Sequence, residues 1–280
     1  MAKTNYISNK NLLREINNSK MTYCQVLDKK YHVFDYITED LTNITDELFQ
    51  EIKTKRKSRL EGIEIDKLNK KSKTYQQERA SINIDVNDED VVIRLMTKEH
   101  IIPYITGKIK INFPPFKHFI KQDNQWVEVV RSHWEGDFTT GKLNLNKGKL
   151  SNELVLMFMA LAKRYSFVGK FRDYTYREDM VSEATLHLCI NCLKFNESRS
   201  DNPFSFYTTL VTNCFKATLK IEAKYRDLKD DIAMENNMPA SFNSQDYLIE
   251  EASKAYYSND QSYGHSVFVD AEKGIVTNDL

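Results

Sequence analysis

The stretch Asn202-Pro203-Phe204-Ser205-Phe206-Tyr207-Thr208-Thr209 opens the third of three helical patterns that follow one another through residues 151–226. Asn202 suits an N-cap. Pro203 suits the first helical position, where its missing N–H has no partner to lose. At about 100° per residue, Phe206, Tyr207, Leu210, Cys214, Ala217, Ile221 and Tyr225 share one side, the expected packing face. Thr209, Thr212, Asn213, Lys216 and Lys220 fall on or near the other side, with Phe204 and Phe215 at the boundary and Lys224 and Arg226 following. Lysine and threonine anchor phosphate oxygens, asparagine and lysine reach base edges, and boundary aromatics stack on unpaired bases. An ordinary amphipathic helix with a polar outer face carries the same pattern.

The two preceding patterns read as its packing partners. Ser151 can cap the first, with Glu153 in the turn where the helix dipole favours an acid. Leu154 to Ala162 is apolar all round, which predicts a central helix. The second covers about 177–194 and sets Asp179 and Glu183 four residues apart, with Ser182 beside them on the same face. Met180, Val181, Ala184, Leu188 and Cys192 can pack behind. No nucleophile, metal-ligand set or paired histidine lies close in sequence to this carboxylate pair, so an acidic face for a basic partner helix is the economical reading. Cys189 and Cys192 form a CxxC beside His187, but no second pair lies at zinc spacing, and core packing explains them better than a metal.

Working outward, the upstream chain changes character twice. Ser8 followed by Leu12, Leu13 and Ile16 predicts a short helix. Residues 39–80 read as one or two exposed helices broken near Gly62. They carry the basic run Lys53-Thr54-Lys55-Arg56-Lys57-Ser58-Arg59, either a solvated face or a surface for phosphates or a polymerase. Between 81 and 135, Ile82, Ile84 and Val86 alternate with polar residues; Val91-Val92-Ile93, Ile109, Ile111 and Trp126 to Val130 follow, all strand-like. Gly136, Gly141 and Gly148 mark a connecting loop. The fold class expected is mainly α, a helical bundle with a small α+β N-terminal module. The expected divisions are a basic helical segment 1–80, a β-containing module with its loop 81–150, a helical domain 151–230 and an acidic, flexible tail 231–280.

Composition narrows the class. The 40 basic and 40 acidic residues cancel, so whole-chain charge selects no polyanion, but residues 51–79 are basic and 227–280 acidic, which points to different partners for different segments. Four scattered cysteines do not make a disulfide framework and suggest a reducing compartment. The start lacks a leader-like apolar stretch, and the longest apolar run is about half a membrane span. No phosphate-binding loop, dinucleotide fingerprint or hydrolase motif is present, so no enzyme and no cofactor are expected.

Together the helices resemble region 2 of the primary bacterial sigma family. REDMVSEATLHLCINCLKFNES (177–198) looks like its polymerase-binding helix, and NPFSFYTTLVTNCFKATLKIE (202–222) like its promoter-melting and promoter-reading helix. The likeness is closer to the late-transcription sigma factors of T-even-like tailed phages, in the longer marine-phage form. It extends through VIRLMTKEHIIP, VRSHWEGDFTTGKLN, RDLKDDIAMENNMPAS and NYISNKNLLREI. The resemblance implies a promoter-specificity factor that joins host RNA polymerase core and directs it to AT-rich late promoters of the −10 type, in the cytoplasm of an infected bacterial host. It implies that Asp179, Ser182, Glu183 and Leu186 meet the clamp coiled coil of the polymerase. It places Phe204 and Tyr207 on the opened strand, and Thr209, Asn213 and Lys216 on the upstream edge of the promoter element. With Thr208, Thr212, Lys220 and Lys224 these make the candidate DNA-binding set. A phage coactivator and a sliding clamp are further partners of this family; a membrane is not. Where the primary family has two adjacent tryptophans, this chain has Leu210 and Val211. Stacking worth about 1–3 kcal/mol per base is missing there, and deformable TA steps or the coactivator would have to replace it. No second DNA-reading helix-turn-helix is expected. The alternative is an adaptor or inhibitor that binds polymerase without reading DNA.

Overall fold

Strands drawn from distant parts of the chain build one sheet. In the computed structural model, which describes residues 7–68, 75–104 and 111–239, these are β1 (Cys24–Val26), β2 (Tyr36–Thr38), β3 (Ile93–Met96), β4 (Phe116–Gln122) and β5 (Gln125–Ser132). Their order is β1-β5-β4-β3-β2; β2 runs parallel to β3 and every other neighbour is antiparallel. A two-stranded ribbon, β6 (Trp134–Glu135) with β7 (Lys142–Leu143), occupies the expected glycine loop. The fold is therefore α+β, which corrects the expectation of a mainly α bundle with a minor β module. The expected division at residue 80 cuts this sheet in two, because β1 and β2 lie before it and their partners after it.

Local chemistry explains the parts. Asp123 and Asn124, at φ 48° and 62°, form the two-residue turn between β4 and β5. Asn and Asp tolerate the left-handed region that such hairpins require. In β4, Phe116, His118 and Ile120 alternate inward. The alternation at Ile82, Ile84 and Val86 is real in burial but not in pairing: the segment is extended and unladdered. Its Val86 packs with Phe49 and Ile52 of α2 (Asp46–Lys67) and with Val91 and Ile93. A helix thus takes the place of the missing neighbour strand. Helix α2 also runs through Gly62 without the expected break. A shorter helix, α3 (Tyr75–Ser81), follows. Of the expected strand positions, Ile109 lies outside the described residues and Ile111 is in no strand.

The basic run of α2 is partly spent inside the molecule. Asp35, almost fully buried, accepts from Arg56 Nη1 at 2.6 Å, from Arg59, and from the Val92 N–H at 3.0 Å. Lys53 pairs with Asp88 at 2.6 Å.

The N-terminal helix α1 (Asn9–Met21) is capped by Ser8, whose hydroxyl accepts from the Asn11 N–H, and it buries Leu12 and Ile16. It packs against α4 (Asn152–Tyr165), which begins at Ser151 as expected. Helix α4 is not central: Leu154, Phe158, Leu161 and Ala162 face inward, while Leu156 and Met159 are 64% and 50% exposed. A short α5 (Gly169–Arg172) leads to α6 (Arg177–Asn191), which packs on α4 through Met180, Ala184 and Leu188. The last helix, α7, spans Pro203–Glu235 and so passes the expected boundary at 230. The chain divides into two compact units, Met1–Phe215 and Lys216–Leu280, within α7. The expected 151–230 domain is therefore not separate, because α4, α6 and the start of α7 share a unit with the sheet. Most of the expected acidic tail, 240–280, lies outside the described residues. No helix among the described residues is long and apolar enough to cross a membrane.

Candidate functional site

Helix α6 presents the candidate polymerase-facing residues together. Asp179, Ser182, Glu183 and Leu186 are all exposed, and they stand on a stripe of Met180, Ala184 and Leu188 that is fully buried. The Ser182 hydroxyl donates to the Glu178 carbonyl at 3.0 Å. Glu183 Oε1 lies 3.3 Å from His187 Nε2 one turn on. Leu186 and Ile190 add two large apolar side chains to this acidic face, 54% and 64% exposed. The expected thiols behind it divide: Cys189 is half-buried, and Cys192 is buried, its thiol pushed up to about 12 by burial.

The candidate DNA-binding set is only partly brought to the surface. In the first unit Phe204, Thr209 and Asn213 are exposed, while Thr208 and Thr212 are half-buried. Three threonine hydroxyls turn back on the helix: Thr208 donates to Phe204 O at 2.9 Å, Thr209 to Ser205 O at 2.9 Å, and Thr212 to Thr208 O at 2.8 Å. Thr212 Oγ1 also lies 2.7 Å from the Tyr165 hydroxyl. Asn202 does cap α7, accepting from the Ser205 N–H at 3.1 Å, and Asn9 Oδ1 accepts from the Phe204 N–H at 3.0 Å.

Tyr207 is corrected. It has no exposed surface; its ring packs on Phe158 and Phe206, and its hydroxyl donates to Cys192 O at 2.9 Å. A ring in that position stacks on no base. Val211 and Phe215 are also fully buried, so the packing face centres on Tyr207, Val211, Cys214 and Phe215. In the second unit Lys216, Lys220 and Lys224 are exposed, but so are Ala217, Ile221 and Tyr225, which were expected to pack.

A buried ionic cluster, absent from the sequence reading, holds the corner between α6 and α7. Lys20 on α1 is 1% exposed and donates to Phe195 O at 2.7 Å and to Glu197 Oε2 at 2.6 Å. Arg94 on β3 is fully buried. Its Nη2 donates to Asn17 Oδ1 at 2.6 Å, its Nε to His118 Nε2 at 2.9 Å, and its Nη1 lies 3.8 Å from Glu197 Oε1. The guanidinium sits 3.8 Å and 3.9 Å from the ring centres of Phe34 and Phe116, a desolvated cation–π sandwich. His118 Nδ1 faces Tyr31 O at 2.8 Å and so carries the proton, leaving Nε2 to accept from Arg94. Burial, reinforced by Arg94, holds His118 well below 6.5 and therefore neutral. Burial alone would raise Glu197, but Lys20 and Arg94 outweigh it and keep the carboxyl below its ordinary value.

The signals for this cluster were present. Lys20 continues the Leu12, Ile16 stripe at intervals of four, and Arg94 interrupts the apolar run Val91 to Met96.

Comparison with family models, with curated protein sequences and with solved structures returns no match.

Proposed function

We propose that the chain is a promoter-specificity factor of the sigma type, which joins the core of a bacterial RNA polymerase through α6 and meets AT-rich promoter DNA through the outer face of α7. The observation that carries the reading is the mixed character of the α6 face. On this face exposed Leu186 and Ile190 stand beside Asp179 and Glu183 along one side of a single helix. Acid around an apolar centre suits a basic helical partner. On α7 the reading rests on Phe204, Thr209 and Asn213, with Lys216, Lys220 and Lys224 further along.

The test is reversal of charge at Asp179→Lys and Glu183→Lys. Both side chains are exposed, so the fold persists, and core polymerase retention is expected to fall to background. Undiminished retention removes α6 as the docking face.

A second reading is favoured by one observation. With Tyr207 in the core and Leu210 and Val211 in place of stacking indoles, α7 keeps Phe204 as the exposed aromatic of its first turns. An adaptor that binds polymerase without reading DNA needs no more. Specific initiation by core plus this protein distinguishes the two.

A further inference from the structure

We infer that the chain pairs with a second copy of itself through an antiparallel coiled coil built from the second half of α7. In the second unit Ile221, Tyr225, Leu228 and Ile232 recur at steps of four, three and four. At 100° per residue they lie within about 60° of one another. They are 51%, 57%, 55% and 49% exposed. One exposed apolar side chain is ordinary, but a continuous row of large ones marks an interaction surface.

The helix does not use that row for packing inside its own unit. Its opposite side carries Leu219, Ala223 and Ala233, all half-buried, and the buried Asp230. Alternating steps of four and three average 3.5 residues. That repeat keeps an apolar seam facing a partner when two helices wind around each other, so the row suits another helix.

The charges beside the row identify that helix. Glu222 and Lys229 flank it on one side, and Lys224 and Asp231 on the other. Lys224, Lys229 and Asp231 are exposed and Glu222 is half-buried; among the described residues none of the four forms an ion pair. Consider two copies running in opposite directions about a twofold axis through the middle of the row. Tyr225 then meets Leu228 of the second copy, and Ile221 meets its Ile232, so every apolar residue gains an apolar partner. On the flanks Lys224 meets Asp231 of the second copy and Glu222 meets its Lys229, each contact made twice by symmetry. A patch that complements itself in this way is what a twofold interface requires. The parallel arrangement is disfavoured: it sets Lys224 of one copy against Lys229 of the other, and neither attractive pair forms. Flanking charges choose partner and direction in paired helices by this means.

The seam is about three turns long, roughly 18 Å at 1.5 Å per residue. It is small beside a permanent dimer interface, so the pairing is reversible. The inference concerns the free protein and rests on neither polymerase nor promoter binding.

The experiment is sedimentation velocity of the full chain from about 5 µM to about 500 µM, a range that brackets a small reversible interface. The wild type is expected to move from its monomer mass of 32.8 kDa toward twice that value. Leu228→Glu puts an unpaired charge into the seam and is expected to weaken association about tenfold or more. Lys224→Glu decides the direction. In the antiparallel pair the new carboxylate faces Asp231 and weakens association about threefold or more. In a parallel pair it would face Lys229 and strengthen it. The exchange K224E/D231K restores opposite charges and is expected to return association to within about twofold of the wild type, which separates lost pairing from lost folding. A wild type that stays monomeric throughout overturns the inference and leaves the row to a different partner. So does association that is indifferent to Leu228→Glu or strengthened by Lys224→Glu.

Discussion

The sheet and helix α6 use charge in opposite ways. Around the sheet the ionic groups are inside and committed: Arg94 to Asn17 and His118, Lys20 to Phe195 O and Glu197, and Asp35 to Arg56, Arg59 and the Val92 N–H. On α6 Asp179 and Glu183 are outside, over a buried stripe that needs neither of them. An interior charge without its partner is expensive, so each buried pair fixes where two segments sit. An exposed acid contributes little to folding and stays available to a partner. The sheet side therefore sets geometry, and the α6 acids take no part in it.

Acid gives the largest expected break in that contrast. Burial holds His100 at about 4 and His133 at about 3, and keeps His118 well below its ordinary 6.5. The unfolded chain takes up these protons below about 6.5 and the folded chain does not. Stability is therefore full above that pH and falls as pH drops toward 4, by up to about 1.4 kcal/mol per pH unit for each histidine. Below the ordinary glutamate range, loss of the Glu197 ion pairs adds to the fall. Urea midpoints at pH 7.5, 6 and 5 are expected to decline steadily; a flat series contradicts the neutral interior.

Glu197→Gln comes next. It leaves Lys20 and Arg94 buried without an anion, at a cost of about 3–5 kcal/mol in urea unfolding. Tyr207→Phe removes the stronger of two donors to Cys192 O, which keeps the Phe195 N–H at 3.4 Å, with an expected loss of about 0.5–1.5 kcal/mol. Because the ring is internal, promoter selection by the folded variant should be unchanged; a changed start-site profile would return Tyr207 to the DNA. Smallest is the stability effect of Asp179→Lys with Glu183→Lys, within about 0.5 kcal/mol. A larger loss would mean that α6 depends on those acids for its own fold.

The helices were legible because their signals are local. Ser8, Ser151 and Asn202 announce α1, α4 and α7 as caps, and the spacing of Met180, Ala184 and Leu188 gives the inner face of α6. The sheet was not. Strands β1 and β2 have three residues each, too few to show alternation, and β2 finds its partner β3 more than fifty residues away. Ile82 to Val86 misled because alternation records a half-buried extended chain whether or not another strand lies beside it. Within the site, the exposure of Asp179, Glu183, Thr209 and Asn213 followed from periodicity. At Tyr207 periodicity and resemblance pointed opposite ways, and packing prevailed. The apolar run in α4 failed differently: Leu156 and Met159 are hydrophobic and still face outward, since hydrophobicity alone does not say which side is covered. The Lys20–Glu197 pair joins residues 177 positions apart, through a tertiary contact that no local window contains.

The most direct test of the account is reconstitution of the full chain with bacterial core polymerase on DNA carrying AT-rich promoters, with start sites mapped. Discrete starts just downstream of AT-rich elements are expected, lost when Asp179 and Glu183 are reversed. Core retained by the protein with no specific starts contradicts it and leaves the adaptor reading in its place.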